Sequence, residues 1–324
     1  MTTRRNFLKN TTMLAAGLGV SPLLSSSPLR SYQKEEVING KVRIAVIGVG
    51  MGCRDLQGAL TDNPWVHCVG MCDVNKVRLE EQLARFKKDF PEQTVSIKAY
   101  TDFREVLANK EIDGVIIATP DHWHPYIFAE ALKAGKAIYV EKPVGNSISE
   151  CNAMMDFQKK YKGVVTTGLW QTSQRYFRAA NEILKSGVLG DVYKVQLWLC
   201  QSTNPRPSVE DSEAPSTLDY DMWLGPAPER PFNNSRFRGW RGFWAYGGGQ
   251  QTDWGVHWID SAFDGLKALG LCDREYPDAV FSIAYKDPAS FNETPSCQTS
   301  IFQYKNFHIE WAQQVAYLYN RNQG

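Results

Sequence analysis

Three residues in this sequence have the types that acid–base work on a hydroxyl group needs: Lys142, Asp253 and His257. Lys142 stands in the step Glu141-Lys142-Pro143, directly after a short apolar run, Ala137 to Val140. An ammonium group delivered at the end of a buried strand, its direction fixed by a proline, can hold a developing alkoxide or move a proton. Asp253 and His257 are spaced i and i+4, which puts them on one face of a helix. A carboxylate one turn from an imidazole can fix its tautomer and raise its basicity. A base that takes a hydroxyl proton while hydride leaves the same carbon, with a cation at the oxygen, describes alcohol oxidation. Each residue also has a plain reading. His257 alone reads as a part-buried helix histidine, and Lys142 as a surface lysine paired with Glu141. A metal held by Asp253 and His257 lacks a convincingly spaced third ligand, so no metal is expected.

The elements that must position Lys142 are legible around it. In VIIATPDHWHPYIFAEALKAGKAIYVEKP, Val115 to Ala118 reads as a buried parallel strand that stops at Thr119-Pro120. Pro125 fits the first turn of the next helix and Gly135 its left-handed end. A second strand over 137–140 then delivers Glu141 and Lys142 at its carboxyl end, where open α/β sheets bind ligands.

Upstream, the apolar strand Val42 to Ile47 runs into Gly48-Val49-Gly50-Met51-Gly52-Cys53 and a helical pattern. Strand, glycine turn and helix form the setting of a dinucleotide fingerprint, with Gly48, Gly50, Met51 and Gly52 nearest the pyrophosphate. Cys53 stands where the usual third glycine falls, and Gly52 comes one place early. The next strand, 66–72, ends in Asp73. An acid there can accept from a ribose 2′-OH and repel a 2′-phosphate, which favours NAD over NADP. The bland alternative is a glycine turn with an aspartate helix cap and no nucleotide.

Strand–helix alternation continues to Thr167, and Ser147-x-x-Glu150 has the form of a capping box. These features predict a doubly wound Rossmann domain over 41–167. From 168 to 324 the texture changes. A helix over 175–185, a long strand over 192–201, a helix over 251–269 and strands near 278–285, 296–304 and 307–316 predict an α+β domain. Its sheet is expected to be large, open and mostly antiparallel. Its apolar helix stripe is read as Val256, Ile259, Phe263 and Leu266, opposite Asp253 and His257. The stretch from Ser202 to about Arg241 is too long for a plain connector and is expected to wrap the active site or a partner subunit. Gly247-Gly248-Gly249 is expected to let backbone approach a ligand closely. The sequence stops where another sheet strand is expected, so it reads as a truncated chain with an unpaired edge.

The 324 residues carry a formal net charge of +1 with no long run of one sign, so nucleic acid is an unexpected partner. Several of the ten tryptophans cluster between Trp223 and Trp258. They suit sugar platforms or core packing equally. Seven scattered cysteines contain no C-x-x-C pair. Residues 1–33 stand apart: Arg4-Arg5-Asn6-Phe7-Leu8-Lys9 precedes a weak apolar run from Met13 to Leu24 that is too short for a stable membrane span. This resembles a twin-arginine export signal and implies a periplasmic enzyme that loads its nucleotide before export.

The segments ATPDHWH, EKP, DMWLGPAP and GGGQQTDWGVH, which follow one another along the chain, resemble the glucose–fructose oxidoreductase / inositol dehydrogenase / MocA (Gfo/Idh/MocA) family, in its exported branch. The resemblance covers about Lys41 to the C-terminus. It implies a Rossmann domain plus an open-sheet domain, NAD(P)-linked oxidation or reduction of sugars, cyclitols or polyols, and homo-oligomers, often dimers or tetramers. It also implies catalysis by Lys142, Asp253 and His257, cofactor-side positions at Thr119, Pro120, His124 and Glu141, and a nicotinamide-side segment at Gln174 and Arg175. Some exported relatives cleave glycosides through a transient keto-sugar with catalytic NAD, although that branch often lacks the lysine retained here as Lys142. A sugar-binding relative without catalysis is the third alternative.

Overall fold

The computed structural model of the protein describes residues 41–50, 63, 65–91, 97–201, 206–272 and 276–315. The signal-like segment, Met51 and Gly52 lie outside them. Two compact units emerge, Met1–Thr167 with Glu213–Phe232, and Gly168–Ser212 with Asn233–Gly324.

The first unit is built on six parallel strands: β1 (Val42–Ile47), β2 (Val66–Cys72), β3 (Lys98–Tyr100), β4 (Gly114–Ile117), β5 (Ala137–Val140) and β6 (Val165–Thr167). Their order is β3-β2-β1-β4-β5-β6, the doubly wound order whose switch point lies between β1 and β4. Side-chain alternation divides β1 between two cores. Ala45 and Ile47 pack with Ile127, Phe128 and Leu132 on one face. Ile44 and Val46 pack with Leu79 and Phe86 on the other. All four residues of β4 are buried, as a strand covered on both faces must be.

The helices are α1 (Lys76–Asp89), α2 (Phe103–Ala108), α3 (His124–Lys133) and α4 (Ile148–Tyr161). Pro125 occupies the first turn of α3, and Gly135 follows its end at φ 69°. At α4 both halves of the capping box form: Ser147 Oγ accepts from the Glu150 N–H, and Glu150 Oε2 accepts from the Ser147 N–H.

Part of the long stretch after Gln201 belongs to this unit. Leu218 bridges to Asn75, the Lys76 N–H donates to the Thr217 carbonyl, and the Asp219 N–H donates to the Val74 carbonyl. The short helix α5 (Tyr220–Leu224) follows. The Trp223 carbonyl accepts from Trp123 Nε1 at 3.0 Å and lies 3.0 Å from His122 Nε2. Trp223 is therefore core, not a platform.

The second unit contains α6 (Arg175–Lys185), β7 (Lys194–Gln201), α7 (Asn234–Arg238), α8 (Val256–Ala268), β8 (Ala279–Tyr285), β9 (Cys297–Gln303) and β10 (His308–Val315). The sheet order is β7-β10-β9-β8. Pairings β10–β9 and β9–β8 are antiparallel, but β10 runs parallel to β7, so the four-stranded sheet is mixed. Ala262 and Leu266 of α8 pack on Ile309, Val195, Leu197 and Phe302. The predicted single helix over 251–269 is instead a π-helical turn, Gln251–Gly255, running into α8. Among the described residues no helix is long and apolar enough to cross a membrane.

Candidate active site

In the first unit the carboxyl ends of β1, β2, β4 and β5 gather most of the residues singled out for the cofactor. Gly48 leaves β1 at φ +89°, a conformation L side chains rarely adopt. A Cβ there would stand 2.6 Å from the Ala118 carbonyl oxygen and 2.7 Å from the Thr119 nitrogen. The glycine turn and the end of β4 thus approach backbone to backbone. Gly50 is the last described residue of the turn, and a Cβ on it would meet Arg78 Nη1 at 3.8 Å.

Asp73 closes the same corner from β2. Its Oδ2 accepts from the Val49 N–H at 3.1 Å and its Oδ1 from the Asn75 N–H at 2.8 Å. Burial raises its carboxyl above the ordinary value, opposed by the Arg78 charge and by those two hydrogen bonds. The carboxylate has about four acceptor positions, so two amides leave capacity for a ribose hydroxyl.

Thr119 and Pro120 follow β4, and Thr119 Oγ1 is buried without a hydrogen-bond partner. A native polar atom left so is the mark of a ligand or water site. His124 ties the two neighbouring loops together: Nδ1 lies 2.7 Å from the Pro143 carbonyl oxygen and Nε2 lies 3.0 Å from that of Thr119. Glu141 continues β5, where its N–H donates to the Ile117 carbonyl. Its Oε2 accepts from the Lys142 N–H at 3.2 Å, and its Oε1 from the Tyr139 hydroxyl. Burial, then the Glu141 charge, pushes the Tyr139 phenol up, so it remains a donor. Lys142 is half-buried at the strand end, ahead of a buried Pro143. Gly48, Asp73 and Thr119 supply a backbone cradle, a hydroxyl acceptor and a vacant donor. That is a set that fits a dinucleotide.

The second unit carries the remaining residues singled out from sequence. His257 is 3% exposed, and its ring lies edge-on to Trp170 at 5.7 Å and tilted to Trp254 at 6.1 Å. It belongs to the packed side of the helix, with Ala262, Gly265 and Leu266, whereas Val256, Ile259 and Phe263 are less completely covered. Asp253, in the π-helical turn, places Oδ1 3.1 Å from Arg241 Nε, and the Arg241 guanidinium lies 4.2 Å from the Trp240 ring centroid. Gln250 Oε1 and Trp258 Nε1 are buried without hydrogen-bond partners. Among the acids of α8, Asp264 Oδ2 accepts from Asn181 Nδ2, joining α8 to α6. Burial and Asp264 together raise the Asp260 carboxyl.

Gln174 caps α6 and Arg175 begins it. The triple glycine is tight for an internal reason. A Cβ on Gly249 would meet Thr294 at 2.9 Å, and one on Gly248 would meet Thr252 at 2.5 Å. The close approach is to the chain's own threonines. Neither Arg241 nor Trp170 was singled out from sequence. The Trp240-Arg241 neighbourhood to a tryptophan-rich stretch is the one signal that pointed there.

These features define a Rossmann unit with a dinucleotide-type glycine turn and a second α/β unit. Residues 42–169 match the oxidoreductase-family model with the NAD-binding Rossmann fold, and residues 178–267 match the same family's C-terminal alpha/beta domain. The chain belongs to the Gfo/Idh/MocA oxidoreductase family. It is 33% identical over 163 residues to an alpha-N-acetylgalactosaminidase of Tannerella forsythia, covering 46% of this chain and 34% of that protein. It is 24% identical over 151 residues to an inositol 2-dehydrogenase of Salmonella typhimurium, covering 46% of this chain and 43% of that one. The matches span well under half of these curated relatives. The fold is similar to that of the WlbA dehydrogenase from Bordetella pertussis, solved with NADH and UDP-GlcNAcA, at TM-score 0.65 and 17% identity over 86% of this chain and 74% of that one. The aldose-aldose oxidoreductase of Caulobacter crescentus gives TM-score 0.62 at 19% identity, over 84% and 70%.

Proposed function

We propose that this protein transfers hydride between a hydroxyl-bearing carbon of a sugar, cyclitol or polyol and NAD. The observation that carries the reading is the Gly48–Thr119 corner, where backbone approach and a partnerless buried hydroxyl coincide. Gly48, Gly50, Asp73, Thr119, Pro120, His124 and Glu141 hold the nucleotide, with Met51, Gly52, Gln174 and Arg175 completing the set. Asp73 favours NAD over NADP by refusing a 2′-phosphate. Bound NAD supplies a two-electron acceptor for the hydrogen on the alcohol carbon.

The chain's own groups manage the proton. The His257 imidazole takes the hydroxyl proton, and the Lys142 ammonium holds the negative charge that grows on that oxygen; in the reverse direction the two return a proton to it. Asp253 orients this side of the site. Gln250 and Trp258 offer an acceptor and a donor to substrate hydroxyls. Arg4 and Arg5 ahead of a weak apolar run support export to the periplasm, and homo-oligomers are part of the same reading. Native mass spectrometry for a co-purifying nucleotide, followed by a sugar panel read by nicotinamide absorbance, tests it. A protein that binds no nucleotide contradicts it.

A second reading is favoured by the similarity to the Tannerella forsythia alpha-N-acetylgalactosaminidase. Oxidation at a ring carbon would acidify the neighbouring C–H, allow elimination of the aglycone, and return the hydride afterwards. Release of aglycone from aryl glycosides without added NAD distinguishes it from net oxidation.

A further inference from the structure

Arg241 is not needed by the chemistry above, yet it is held as an instrument would be. Asp253 engages its Nε at 3.1 Å and Trp240 lies against its guanidinium plane at 4.2 Å. Among the described residues these are its partners. The arginine side chain remains 44% exposed while the Asp253 side chain is 15% exposed. The contact to Asp253 is made at Nε, so it does not use the N–H groups of Nη1 and Nη2, and the arginine is the more exposed member of the pair. Asp253 lies four residues before His257 on one continuous helical segment, so the ion pair ties Arg241 to the element that carries the proposed base.

A half-exposed ion pair contributes little to stability, which leaves the arrangement without a purely structural purpose. A guanidinium fixed in plane by stacking and at one edge by a carboxylate has already lost its rotamer freedom. Its remaining edge matches two coplanar oxygens and is suited to bidentate contact. We infer that Arg241 anchors a carboxylate of the substrate, and that the substrate is a sugar acid, a uronate or aldonate. This rests on the reading that the His257 side binds a sugar. The Asp253 charge beside the same guanidinium opposes a dianion, so a carboxylate is preferred to a phosphate ester.

The test is titration calorimetry on the NADH-loaded protein with glucuronate against glucose, galacturonate against galactose, and glucose 6-phosphate. At least one uronate should bind roughly 30-fold more tightly than its neutral twin, the scale of a charge-assisted bidentate contact. Arg241→Gln should remove most of that gap. Arg241→Lys keeps the charge without the fork and should recover only part of it, and it serves equally if the glutamine variant does not fold. Equal binding within both pairs, no uronate binding, tighter binding of the phosphate ester, or a gap that survives both substitutions overturns the inference. Uronate binding that depends on Arg241, with no rise in nicotinamide absorbance when the same uronate is added to the NAD-loaded protein, supports it and contradicts the redox reading instead.

Discussion

Asp73 Oδ2 accepts the backbone N–H of Val49 at 3.1 Å, so a side chain at the end of β2 holds the glycine turn at the end of β1. Removing that carboxylate strands two amides and opens the ribose corner. Asp73→Ala should cost about 1–3 kcal/mol of stability, the usual penalty for buried groups left unsatisfied. It should also shift cofactor preference toward NADP, read by paired titrations of NAD and NADP. An unchanged ratio contradicts the assigned role.

The Asp73 carboxyl also gives a pH dependence. Its native value is raised by burial, so the native state keeps this proton to higher pH than the unfolded chain does. Its contribution to stability is accordingly greatest below the ordinary carboxyl range and declines as pH rises through the native value. Accepting from a ribose hydroxyl needs the ionised form. NAD affinity should therefore increase in the wild type as pH rises above the ordinary carboxyl range. In Asp73→Asn this rise should vanish.

Gly48→Ala forces a Cβ into the Ala118 carbonyl and an alanine into φ +89°. Strain of this kind costs roughly 1–3 kcal/mol, and the turn must leave β4 to relieve it. Loss of melting temperature together with loss of NAD binding is expected. Nucleotide binding at wild-type strength would show that the turn does not form the cradle.

His124 links the Thr119 and Pro143 carbonyls, and through Pro143 it fixes where Lys142 leaves β5. His124→Ala should slow single-turnover hydride transfer about 100-fold, the scale of an ångström misplacement, with a smaller change in NAD affinity. Equal losses in both would show that His124 serves the nucleotide alone and does not position Lys142.

Much of this was legible in local sequence. The capping box at Ser147 and Glu150, the Pro125 start and Gly135 end of α3, and the four strand positions of the second unit are properties of a few adjacent residues. What was not legible depends on distant partners. The expected mostly antiparallel sheet holds for two of its three pairings, but nothing near β10 says that it will lie parallel to β7. The π-helical turn adds slack that hydrophobic spacing does not encode, and it leaves His257 on the packed side of α8. Gly248 and Gly249 looked like room for a ligand because Thr252 and Thr294 fill it only in three dimensions. The segment 213–232 returns to the first unit through backbone pairing at Asn75 and Lys76, which composition cannot announce.

Cysteine reactivity separates the two units. Burial pushes the Cys68 thiol up to about 11 and holds the Cys72 thiol well above the ordinary value, with the Asp73 charge adding to the effect at Cys72. Thiolate is the reactive form, so both should resist iodoacetamide at pH 8 in the folded protein. Cys200 is exposed on β7 and should label readily. Peptide mass spectrometry before and after unfolding reads this, and fast labelling of Cys68 in the native state contradicts its burial.

In the proposed reaction Lys142 and His257 serve one proton transfer coupled to NAD reduction. Single-turnover absorbance of the NAD-loaded protein with a turned-over sugar measures it in wild type, Lys142→Met, His257→Ala and the double variant. Each single change should slow the step by at least about 100-fold, and the double should be little slower than the worse single. Losses that multiply, or either single variant reacting at the wild-type rate, would contradict the account.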